Sequence, residues 1–511
     1  MFNFWFPKKS DGKSEKLAHD FDQKTTKWDN KLFKSVTIFC GIVVASGVSL
    51  WFINYFFLEV HIDPKEQAKL REQVALLKQN AIPLTSVKPV KGVKLETTDL
   101  ADLQVLKPIL QDKKMVGLGE ATHGTKEFFI MKHRLFQFLV SELGFRVFAI
   151  EYHFSDSIAI NNYVLKGEGN AEEVVKNIKY WTWRTQEVLD LVKWMREWNT
   201  VNPNDPVKFY GFDMQGYEEP IIELKKYAIK TKFLPTENLE RTRFMFEILQ
   251  DKFDAFSQKH QTQNEKESTL NLVKEIQRVL DNKKSQLISQ TSQREWAEAK
   301  QHARILEQYY SQVTSSDVAV MSNVRDRAMA ENVQHISEFE RHSKIVLWAH
   351  NGHVSKAANR GIGISLGKHL KGKYNQQYYS LGFEFYQGCF QARRVGMADI
   401  LPVLSSLFAT QKAPLEELCI TDSPLEETLA YKLGRIGEPY LFLDFNRKNF
   451  YKSKSNWLRE PLLYHDIGSS YPSHKLAAVM FLYDEGILPE LYDGLIYIHN
   501  TTRAEPLQIQ N

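Results

Sequence analysis

The chain has 511 residues, 43% hydrophobic and 25% charged, which is ordinary for a globular protein and too long for one ordinary core. Its 66 basic and 62 acidic side chains leave a net charge of +4, too balanced to mark nucleic acid as the main partner. The three cysteines, Cys40, Cys389 and Cys419, show no CxxC spacing, so the thiolate zinc pattern is absent.

Residues 1–34 carry eight lysines and read as a basic cytoplasmic segment. Ser35 to Leu58 then holds no charge. As a helix it would span about 36 Å, enough for a ~30 Å hydrocarbon core. Lysines before it and Glu59 and Asp63 after it predict an uncleaved signal anchor. On that reading the protein is single-pass, with the N-terminus cytoplasmic and the main domain outside. A cleaved signal peptide is the rival, with an unusually long basic region. Residues 59–90 read as a helical stalk ended by Pro83 and Pro89.

From residue 91 strand and helix signals alternate. MVGLGE (115–120) is a short apolar strand, and KEFFIMKHRLFQFLVSEL (126–143) has helical spacing and stops at Gly144. RVFAIEY (146–152) and VKFYGFDM (207–214) are further strands. Residues 217–340 are rich in Glu, Lys, Gln, Leu and Ala and read as a helical insert. Strands resume at KIVLWAH (344–350), YYSLGFEFY (378–386), YLFLDF (440–445) and GLIYIH (494–499). The pattern predicts an α/β fold: a mainly parallel sheet with flanking helices and a large helical insert, preceded by one transmembrane helix. Cys389 and Cys419 read as two buried thiols, with a bond between them the open alternative.

Open parallel sheets bind ligands beyond the carboxyl ends of their strands. Glu120, His123, Glu151, Asp213, His350 and His353 all fall there, provided the strand order brings these ends together. Glu120 and His123 are three apart, so a carboxylate can fix the tautomer of an imidazole base. The bland alternative is a glycine turn whose histidine only caps the next helix. His350 and His353 in WAHNGH suit a base, an oxyanion donor or metal ligands. Three histidines and a carboxylate would suffice for a divalent metal, but no HExxH motif is present, so no cofactor is called. Gly363–Gly367 fits GxSxG without the preceding strand that a nucleophile elbow needs, and GIGISLG fails the dinucleotide spacing. Arg184 and Arg325 are surface ion-pair partners or, in a helical lid over an anionic site, substrate contacts.

GLGEATHGTKEFF, GFRVFAIEY, YGFDMQG, NVRDRAMAEN, WAHNGHV and DGLIYIHNTTRA, in that order across residues 95–505, resemble the erythromycin esterase family. The resemblance implies a hydrolase that opens a macrolide lactone with activated water and no serine nucleophile. It places the family's essential histidine on His123, its glutamates on Glu120 and Glu151, and its histidine pair on His350 and His353. An arginine of some family esterases falls on Lys132, with Arg134 nearby, so a bidentate guanidinium role does not transfer simply. Lys132, Arg134, Arg184, Asp213 and Arg325 are the expected substrate contacts. The competing readings are a metal-dependent hydrolase built on the same cluster and a non-catalytic envelope protein that binds a ligand.

Overall fold

The structure is a computed structural model that describes residues 64–508 apart from 235–244, 254–262, 316–317, 360–362, 396–413, 448–449, 451–456 and 473–481. The chain divides into two units, Met1–Arg71 and Glu72–Asn511. All that follows concerns the second.

Its centre is one sheet. The strands are β1 (Ile82–Pro83), β2 (Met115–Leu118), β3 (Phe145–His153), β4 (Lys208–Asp213), β5 (Lys344–Trp348), β6 (Tyr378–Val395), β7 (Leu415–Ile420), β8 (Tyr440–Asp444), β9 (Ser470–Pro472) and β10 (Gly494–Thr501). The order across the sheet is β1-β8-β10-β6-β2-β5-β3-β4, and β7 and β9 also pair with β6. β10, β6, β2, β5, β3 and β4 run parallel, while β8 and β1 close the far edge antiparallel. The fold is thus mixed α/β with a mostly parallel sheet.

Alternate residues of each strand supply the two cores. Val116, Leu118, Phe148, Ile150, Val346 and Trp348 face one, whereas Met115, Val147, Ala149, Ile345 and Leu347 face the other. Burial on both faces explains why these strands read as continuous apolar runs. Helix α1 (Lys126–Leu143) covers the first face and ends at Gly144, whose φ of 71° is the left-handed cap that glycine takes readily. Helix α2 (Val318–Phe339) covers the second through Met329, Val333 and Ile336. It is the last helix of the insert, whose preceding helices pack a separate core around Leu224, Leu249, Leu280 and Leu306.

Three sequence expectations change. Among the described residues no helix is long and apolar enough to cross a membrane. This finding corrects the single-pass membrane localisation; the segment 35–58 on which it rested lies outside the described residues, as does the basic segment 1–34. Residues 72–90, read as stalk, belong to the sheet unit: Leu76 and Leu77 are buried, and Ile82 and Pro83 pair with Phe442 and Leu441. Cys389 and Cys419 are not free thiols but a disulfide between directly paired positions of β6 and β7.

Candidate active site

The strand order decides the site. After the helical insert, β5 enters the sheet between β2 and β3, so the carboxyl ends of β2, β5, β3 and β4 lie side by side. Glu120 and His123 leave β2, His350 and His353 leave β5, Glu151 lies near the end of β3 and Asp213 ends β4. At Glu151 the β3–β4 register slips between Ile150 and His153, a bulge that re-aims the strand end. Gly211 opposite has no room for a side chain, because an added Cβ would sit 2.4 Å from the Tyr152 carbonyl oxygen. Gly119 is as constrained: its Cβ would meet Asn351 Oδ1 at 2.2 Å. The glycines of GLGE therefore serve close packing of β2 against the turn after β5.

Glu120 is fully buried. Its Oε1 lies 2.7 Å from His123 Nδ1, and its Oε2 accepts from Lys132 Nζ at 2.5 Å and from Trp348 Nε1 at 2.7 Å. Lys132 comes from α1 and sits 4.4 Å over the Trp348 ring. Burial brings its pKa down to about 8 against the opposing pull of Glu120. His123 remains partly open, edge-on to Trp183 at 6.0 Å and 5.0 Å from the His350 ring. With Nδ1 held by a carboxylate, the proton-accepting nitrogen of a neutral His123 is Nε2.

A second cluster abuts this dyad. Arg325 of α2 donates from Nη2 to Glu151 Oε1 and Asp213 Oδ2, each at 2.7 Å. His353 Nδ1 lies 2.8 Å from Asp326 Oδ1, and its Nε2 lies 3.3 Å from Glu151 Oε1. Burial opposes a charge on His353, yet Asp326 and then Glu151 outweigh it and push its pKa up to about 10. Arg325 Nη1, 3.1 Å from His353 Nε2, by itself favours the neutral ring; the two carboxylates decide the balance. Burial likewise works against the Glu151 charge, but His353 and Arg325 hold its carboxyl well below the usual range. Three carboxylates thus face two cations in a low-dielectric rim.

His350 is different. Gly352 N–H points at its Nδ1 (3.3 Å) and Gly468 N–H at its Nε2 (3.2 Å). Burial, with the charges of His123 and His353, drives its pKa well below 6.5, so it is a neutral ring. The rim therefore gathers Glu120, His123, Glu151, Asp213, Arg325, His350 and His353. Lys132 lies beneath it, bonded to Glu120. Arg134 lies outside it, forked onto Asp102 at 2.6 and 3.1 Å. Arg184 holds the C-terminal segment through its carbonyl, which accepts from Leu507 N–H, and the neighbouring Trp183 donates to the Glu151 carbonyl.

Asp326 and Asp466 were not anticipated. Asp326 stands beside Arg325 in the quoted NVRDRAMAEN; Asp466 follows the apolar run LLYH (462–465) and has the same strand-end signal as the other acids. Ser365 of the GxSxG match is buried as a helix cap, its hydroxyl 2.6 and 2.8 Å from the carbonyls of Ser355 and Ala357. On donor chemistry, the imidazole nitrogens of His353 and His350 and Nδ1 of His123 already face protein partners rather than one common point. A cavity of about 890 Å³ includes Lys208, Arg294 and Glu340 in its lining and none of the groups above. Lys208 opens β4, whose other end carries Asp213.

The erythromycin esterase family profile matches residues 140–501. YbfO of Bacillus subtilis (strain 168) is 25% identical over 432 residues, covering 78% of this chain and 86% of its own. The erythromycin esterase type II of Escherichia coli is 27% identical over 323 residues, covering 56% of this chain and 72% of its own. A Bacillus cereus protein of known crystal structure superposes with a TM-score of 0.69 at 26% identity, over 86% of this chain and 99% of that one. The matching family and the Escherichia coli relative are esterases, a class of hydrolase. The chain belongs to the erythromycin esterase family.

Proposed function

We propose that this protein hydrolyses an ester or macrolide lactone with water activated by His123, using no serine nucleophile and no metal. The observation that carries the reading is the buried Glu120 carboxylate 2.7 Å from His123 Nδ1 at the shared strand rim. Glu120 holds the Nδ1 proton, so Nε2 takes a proton from water as hydroxide adds to the carbonyl carbon. The tetrahedral oxyanion develops beside a cationic His353, whose field favours it. The C–O bond then breaks, and His123 returns the proton to the departing alkoxide, giving an acid and an alcohol. Ser365, engaged with two backbone carbonyls, fits the absence of a serine nucleophile.

Mass spectrometry of the full chain with macrolides and simpler esters tests this. The expected product is substrate plus one water, formed equally in the presence of a chelator and lost in His123→Ala. Undiminished turnover by His123→Ala would sink the mechanism, and turnover abolished by the chelator would sink its metal independence.

A further inference from the structure

His350 poses a bonding problem that its own strand does not solve. A neutral imidazole has one lone-pair nitrogen, yet both ring nitrogens face amide donors, Gly352 N–H and Gly468 N–H. One of those amides must therefore face the ring proton. The Ala121 carbonyl is a further hydrogen-bond partner of the ring, and beside the ring stands Asp466, whose Oδ1 lies 3.4 Å from Nδ1. That oxygen is buried and has no hydrogen-bond partner, although the side chain as a whole is 28% exposed and in reach of solvent.

We propose that Asp466 is a positioning residue whose protonation state sets the tautomer of His350 and, through Gly468, the seat of His123. The ionised carboxylate favours the ring proton on Nδ1, which frees Nε2 to accept from Gly468 N–H. The Gly468 carbonyl in turn accepts from His123 N–H at 3.2 Å, and Ile467 N–H donates to the Ala121 carbonyl at 2.8 Å. A continuous path thus runs from Asp466 through His350 and Gly468 to the proposed base. Protonated Asp466 donates to Nδ1 instead. The ring proton then moves to Nε2 and confronts Gly468 N–H, which loosens that path.

The groups around Asp466 place this change near neutrality. Burial and then Asp484 push its pKa up to about 7, Glu384 adds to the rise, and His353 and His123 oppose it. The phenols of Tyr464 and Tyr492 complete the surroundings. The kinetic consequence rests on the hydrolytic reading of His123; the tautomer itself does not.

The test uses the full chain with ¹⁵N-labelled histidine, the His350 ring resonances being those missing in His350→Gln. The expected wild-type result is a proton on Nδ1 at pH 8 that moves to Nε2 as pH falls through about 7. In Asp466→Asn the tautomer no longer changes over this range. Asp484→Asn, which keeps Asp466, shifts the change to lower pH, because one raising charge is gone. A wild-type ring that does not change tautomer, or one that changes alike in all three proteins, overturns the proposal. Turnover supplies a second readout. As pH falls through about 7, log kcat/KM falls more steeply in wild type than in Asp466→Asn, because only the wild type has Asp466 to protonate. Equal slopes overturn it as well. Absent turnover in wild type counts against the hydrolytic reading alone, and the ring resonances still decide the tautomer.

Discussion

Lys132→Met tests the foundation of the Glu120–His123 dyad. Lys132 and Glu120 are both fully buried and bonded at 2.5 Å. Removing the cation leaves a carboxylate in the core with only Trp348 and His123 as donors. Breaking a buried pair in this way costs about 3–5 kcal/mol of stability. The pH dependence adds a sign. Burial holds the Lys132 pKa at about 8 against an ordinary 10.5, a difference of about 3 kcal/mol in favour of the neutral amine. Between those values the unfolded chain binds the extra proton, so wild-type stability rises with pH relative to the mutant. Urea unfolding of both proteins from pH 7 to pH 10 is the assay. The expected outcome is a gap of about 3–5 kcal/mol at pH 7 that widens above pH 8. The double substitution Lys132→Met with Glu120→Gln should recover most of the loss. A gap under about 1 kcal/mol, the size of a surface pair, or one that narrows above pH 8, would refute the buried-pair argument.

Arg325→Met leaves Glu151, Asp213 and Asp326 facing His353 alone, and should destabilise the protein by about 3–5 kcal/mol in the same unfolding assay. His353, with its folded pKa raised to about 10, contributes stability that is fully present below pH 6.5 and lost as pH climbs towards 10. His353→Gln should therefore flatten the alkaline fall seen in thermal melts across that window. Reduction of Cys389–Cys419, which closes a loop with a sequence separation of 30, should lower stability by about 3–4 kcal/mol, measured with and without a thiol reductant.

Sequence by itself determined much of this protein, because local physics leaves local marks. The α1 span of 126–143 and its stop at Gly144 followed from apolar spacing and a left-handed cap. Strands buried on both faces read as apolar runs, and acids and histidines beyond those runs were legible as a rim. The quoted motifs carried the family. Only the tertiary structure decided which strand ends meet, since β5 returns from beyond a long insert to lie between β2 and β3. The same holds for Lys132, whose ammonium is committed to Glu120 by the packing of α1 on Trp348, and for the bond between Cys389 and Cys419. Asp466 reaches His350 from 116 positions away in the chain, beyond β6, β7 and β8, which no spacing rule records. Such contacts depend on through-space distance in a folded core, and burial there turns ordinary ionisable residues into a bonded network.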